Sequence, residues 1–165
     1  MKYFIVLILI SVYILFGNEL GFTTSSPLYT HITYIFQHAS ILHLVLNSLA
    51  FIGIYTSLEK FANRWLFLSI SLLCAILTSF YAMYDKPTVG ISGVIYVMIG
   101  LYVGITLIYK KSKIADTRKY LLYIIGIVFC LVISRFHKNS NFYLHLYCFL
   151  CGIIVSIPFS IWKNR

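Results

Sequence analysis

Gly90-Ile91-Ser92-Gly93 stands at the head of an apolar run that reaches Tyr109 without a Lys, Arg, Asp or Glu. A hydroxyl between two glycines serves either of two purposes. Membrane helices place Gly and Ser wherever two backbones approach closely, and a serine nucleophile needs an accessible hydroxyl beside groups that activate it. These four residues are compatible with both, so the decision rests on what surrounds them.

With 61% hydrophobic and 10% charged residues in 165, the chain is too apolar for an ordinary soluble domain and belongs in a bilayer. Besides Val89–Tyr109, the stretches His38–Leu58, Trp65–Tyr84 and Phe142–Trp162 carry no charge, and each approaches the roughly 20 residues needed to span. Two shorter runs, Tyr3–Phe16 and Tyr120–Ser134, span by thinning the bilayer or borrowing flanking residues. The expectation is an all-α, polytopic bundle of six transmembrane helices, at about 3–17, 38–58, 65–84, 89–109, 120–135 and 142–162, in one domain over residues 1–165. The first run is read as a retained helix, because Gly17-Asn18-Glu19-Leu20-Gly21 offers no small-x-small cleavage site.

The net charge of +9 does not indicate nucleic acid, since the basic residues lie between hydrophobic spans and form no soluble basic domain. It encodes topology. With the N-terminus inside, the inner segments hold Lys2, Lys60, Arg64, Lys110, Lys111, Lys113, Arg118, Lys119, Lys163 and Arg165, ten of the 13 Lys and Arg residues. Lys86, Arg135 and Lys138 are outside, so both termini are expected in the cytoplasm. The basic segment Lys110–Lys119 then lies against anionic headgroups. Cys74, Cys130, Cys148 and Cys151 all fall within apolar runs, which does not suggest a secreted disulfide framework.

Polar residues inside such spans are costly and are functional candidates by default. The second span carries His38, His43 and Asn47 in a His-x4-His-x3-Asn spacing. His43 and Asn47 share a helical face, and Asn47, twelve residues above Glu59, stands about 18 Å from the inner end. The third span is polar only through small hydroxyls that bond back to their own helix. In the fourth, Gly93, Val97, Gly100 and Gly104 line one face, a close-packing pattern. In the last, His145, Cys148 and Gly152 stand at i, i+3 and i+7. Ser92 lies six residues beyond Lys86 and His145 seven beyond Lys138, so both are expected at similar depth below the outer face.

Taken in order, these motifs resemble the rhomboid intramembrane serine proteases along essentially the whole chain. The resemblance rests on His38 through Asn47, on Glu59, on Gly90-Ile91-Ser92-Gly93-Val94-Ile95-Tyr96, and on His145 with Gly152. It implies a serine-type endopeptidase with Ser92 as nucleophile and His145 as general base. Asn47 and His43 would donate to the oxyanion, His38 would support them from the water side, and Tyr96 would pack on the imidazole. It further implies transmembrane-helix protein substrates, the lipid bilayer of a bacterial plasma membrane as the setting, a site opening to the outer face, and no metal or cofactor. Three departures stand out. Tyr29-Thr30 occupies a place where the family often has Trp-Arg, Leu144 and Cys148 flank His145 where it prefers Ala and Gly, and Asn141 stands where some members carry Asp.

Other classes fit less of the chain. Haem iron held between His43 and His145 leaves Asn47 and the glycines around Ser92 without a role. A metal at His145-x2-Cys148-x2-Cys151 lacks a full ligand set. A catalytically inactive relative that binds transmembrane helices would share the fold, yet this chain keeps Ser92, His145 and the oxyanion donors.

Overall fold

A computed structural model describes residues 1–16, 18–61, 63–82, 84–108, 117–136 and 140–163. Among them are seven α-helices: α1 (Lys2–Leu15), α2 (Thr30–Thr33), α3 (Ile41–Leu58), α4 (Arg64–Ser79), α5 (Ser92–Ile108), α6 (Thr117–Phe136) and α7 (Phe142–Lys163). A 3-10 turn covers Asn18–Leu20. Six helices correspond to the expected spans, and the short α2 is additional, in the first loop. Only α3, with 18 residues and a mean hydropathy of 1.7, is long and apolar enough to cross a membrane by itself among the described residues. Its exposed side chains include Ile41, Leu42, Val45, Leu46 and Leu49, an outward apolar face too continuous for a water-facing surface.

Three helices begin or end elsewhere than hydropathy implies. Helix α3 starts at Ile41 because Ser40 is extended (φ −158, ψ 161) and its Oγ accepts from the His43 N–H, an N-cap. His38 therefore precedes the helix instead of riding on it. Helix α4 stops at Ser79, and the chain turns so that the Tyr84 carbonyl accepts from the Thr24 N–H at 3.2 Å. Helix α5 starts at Ser92, because Gly90 has φ +114, which suits glycine alone, and its N–H donates to the Tyr34 carbonyl at 2.8 Å.

The tightest contact in the bundle joins α5 to α7. A methyl added to Gly100 would strike the Phe149 carbonyl, one on Gly152 the Val97 carbonyl, and one on Gly104 the Ser156 hydroxyl. The two helices run parallel and pack backbone to backbone along the small-residue face, so their N-terminal ends lie side by side. At the other end, Lys2 Nζ donates to Glu59 Oε1 at 3.1 Å and to Thr56 Oγ1 at 2.8 Å, tying α1 to α3. All four cysteines are free. Gly17 at the expected end of the first span, Lys110, Lys111 and Lys113 of the basic loop, His137, Lys138 and Asn139 of the last outer loop, and Arg165 lie outside the described residues.

Candidate active site

The first loop forms the frame. Phe22 and Thr88 exchange backbone hydrogen bonds of 3.2 and 2.8 Å, pinning this loop to the turn that leads into Gly90. His31, only 2% exposed, is sandwiched between Phe22 at 4.8 Å and Phe80 at 4.1 Å, and its Nδ1 pairs with Ser79 Oγ at 2.8 Å. Burial holds its pKa below the usual 6.5. Of the Tyr29-Thr30 pair, Tyr29 is exposed and Thr30 buried, and the loop is anchored here through His31.

Ser92, the first residue of α5, and His145, in the first turn of α7, meet at the end of the close α5–α7 contact. Ser92 Oγ lies 3.0 Å from His145 Nε2. The Tyr96 ring stacks on the imidazole at 4.5 Å and 24°. The far nitrogen is also occupied: His145 Nδ1 lies 2.7 Å from Ser134 Oγ on α6, which lies 2.7 Å from Ser140 Oγ. Below the pair, Cys148 is 0% exposed and its Sγ is 2.9 Å from Thr78 Oγ1, while a Cβ on Gly93 would stand 3.4 Å from that sulfur.

The polar residues of the second span converge on the same place from α3. A Cβ on Gly90 would meet His43 Cε1 at 2.9 Å and Asn47 Nδ2 at 3.1 Å, so both side chains lie over the turn that presents Ser92. Asn47 Nδ2 is buried with no hydrogen-bond partner among the described residues, as are both ring nitrogens of His38. The His38 ring meets the His43 ring edge-on at 5.2 Å. A donor buried without an acceptor costs free energy, and here it faces the turn beside a serine hydroxyl.

The sequence matches the rhomboid domain family over residues 25–162. The chain belongs to the rhomboid family. Rhomboid domains are membrane-embedded helical bundles, and the family includes serine proteases as well as inactive members. No curated protein matches this rhomboid.

Asn141 makes a set of bonds that calls for an amide. Its Nδ2 donates to the Ala82 carbonyl at 2.8 Å and to Thr88 Oγ1 at 3.0 Å, and its Oδ1 accepts from the Leu144 N–H at 3.1 Å. It both caps α7 and fastens it to the turn before Gly90, and a carboxylate could not donate to Ala82. Sequence reasoning missed Asn141's double role and passed over Ser134 and Ser140 entirely. The one available signal for Ser134 was its place at the C-terminal end of the Tyr120–Ser134 run, the end expected at the depth of Ser92 and His145.

Proposed function

We propose that this rhomboid is an active intramembrane serine endopeptidase, hydrolysing peptide bonds in or near the transmembrane helices of membrane-protein substrates. The observation that carries this is the 3.0 Å approach of Ser92 Oγ to His145 Nε2, held by helices whose backbones touch. As Ser92 attacks the scissile carbonyl carbon, Nε2 takes its proton and then delivers it to the departing amine. Water, deprotonated by the same imidazole, releases the acyl group. Tyr96 keeps the ring in plane, and no metal or cofactor is needed.

The developing oxyanion needs donors already in place. The Ser92 N–H, in the unsatisfied first turn of α5, is one, and Asn47 Nδ2 and His43 are the others, with His38 supporting His43 from behind. The charge distribution supports both termini on the cytoplasmic side and a site opening to the outer face of the membrane. A cleft of about 440 Å³ with Lys86, Arg135, Ser140 and Tyr143 on its wall supports a route for water to that end.

A substrate helix hides its carbonyls until it unwinds, so cleavage is expected at the outer end, in a stretch of helix-weakening residues. Product mass spectrometry in liposomes tests this. Cleavage in the outer half that disappears in folded Ser92→Ala and His145→Ala supports the proposal. Cleavage surviving in Ser92→Ala or mapping to the inner half contradicts it, and helix binding without cleavage would make the protein an inactive member.

A further inference from the structure

We infer that Ser134 is a positioning residue for the reaction, fixing the tautomer and orientation of His145 from a third helix. This rests on the protease reading above and deepens it.

A neutral imidazole carries one N–H, and Nε2 can accept the Ser92 proton only if the hydrogen sits on Nδ1. An Nδ1–H in a buried site needs an acceptor, and the atom within reach is Ser134 Oγ, 2.7 Å away on a residue 6% exposed. The hydroxyl is suited to this because it accepts and donates at once. It accepts from Nδ1–H and gives its own proton to Ser140 Oγ, 2.7 Å further on. Ser140 is half-buried and lines the outer cleft, so the chain of donors ends where water can complete it.

Three contacts then fix the imidazole completely: Ser92 at Nε2, Tyr96 on the face, and Ser134 at Nδ1. A carboxylate in the place of Ser134 would stabilise the imidazolium more strongly, but an ionised group at that depth carries a heavy desolvation penalty. The hydroxyl selects the same tautomer without a buried charge. A serine on an apolar helix usually returns its bond to its own turn, whereas this one reaches across to α7. Because α6 packs on the bundle through α7 and α5, the seating of its outer end controls whether His145 can act.

The test compares wild type, Ser134→Ala and Ser134→Thr in the full-length protein. Alanine favours the helix, and thermal unfolding checks that each variant is folded. Turnover of the transmembrane substrate should fall roughly 10-fold or more in Ser134→Ala, the scale seen when a partner orienting a histidine is removed at metal sites, with KM unchanged. Ser134→Thr, which keeps the hydroxyl, should restore most of it. In parallel, 15N spectra of the imidazole, assigned by their loss in His145→Ala, should show the Nδ1-protonated tautomer in wild type and a mixture in Ser134→Ala. Unchanged turnover, an unchanged imidazole spectrum, or failure of threonine to rescue overturns the inference. If wild type shows no turnover, the protease reading fails, and the imidazole spectra alone still decide whether Ser134 sets the tautomer.

Discussion

Gly100 and Gly152 face each other so closely across the α5–α7 contact that a Cβ built on either would stand 3.0 Å from the Cα of the other. The distance between Ser92 and His145 is set here, two helical turns below the reacting atoms. Overpacking such a contact costs typically ~1 to 3 kcal/mol, and a displacement of about 1 Å at a catalytic pair can lower the rate ~10²-fold. Gly100→Ala and Gly152→Ala should lose activity on that scale and unfold earlier. Gly53→Ala and Gly126→Ala, where an added methyl meets nothing within 4 Å, should keep full turnover. A fully active Gly100→Ala would disconnect the crossing from the chemistry.

Cys148 should tolerate reduction in size and reject enlargement. Its sulfur fills the space beside Gly93 and Thr78. Removing it strands no polar atom, since Thr78 Oγ1 also bonds the Cys74 and Ala75 carbonyls at 2.8 and 3.1 Å. Cys148→Ala is expected to retain activity and Cys148→Leu to lose it. The opposite order in a turnover assay would give the thiol a chemical role.

Asn47→Ala should lower turnover by roughly 10² to 10³, the usual loss for one oxyanion donor, with little change in stability because the amide nitrogen it removes has no hydrogen-bond partner among the described residues. Gly90→Ala should be worse and should also destabilise the fold. It forces a side chain into φ +114 and against His43. Turnover and thermal unfolding measured together separate the two, and an Asn47→Ala enzyme with wild-type turnover would remove that residue from the oxyanion site.

The first loop should weaken in acid. His31 has a folded pKa below the 6.5 of the free side chain, so below about pH 6.5 the unfolded loop binds a proton that the folded loop excludes. Stability is fully present above that pH and declines as pH falls below it. Amide-exchange protection of residues 22–34 should therefore be lower at pH 5.5 than at 7.5, and His31→Phe, which keeps a ring between Phe22 and Phe80, should lose that difference. An equal pH dependence in His31→Phe would assign it to another group.

Hydropathy anticipated six of the helices, and the rhomboid motifs singled out Ser92, His145, Asn47, His43 and Tyr96, side chains that the fold brings near one another, because helical register follows directly from position in the chain. What escaped was tertiary. Ser134 and Ser140 look like ordinary hydroxyls until α6 is placed beside α7. His31 is a lone loop histidine until Phe22 and Phe80 close on it. Apolarity that continues through His38 suggests a helical residue, although Ser40 ahead of an apolar run is itself an N-cap signal. The start of α5 at Ser92 depends on a bond to Tyr34, which no local pattern announces.

The most direct test of Ser92 as an activated nucleophile is peptide mass mapping after exposure of the folded protein to a fluorophosphonate. The dyad requires a single adduct on Ser92, formed in wild type and absent in both Ser92→Ala and His145→Ala. An unmodified Ser92 in folded wild type, or an adduct of equal yield without His145, would contradict it.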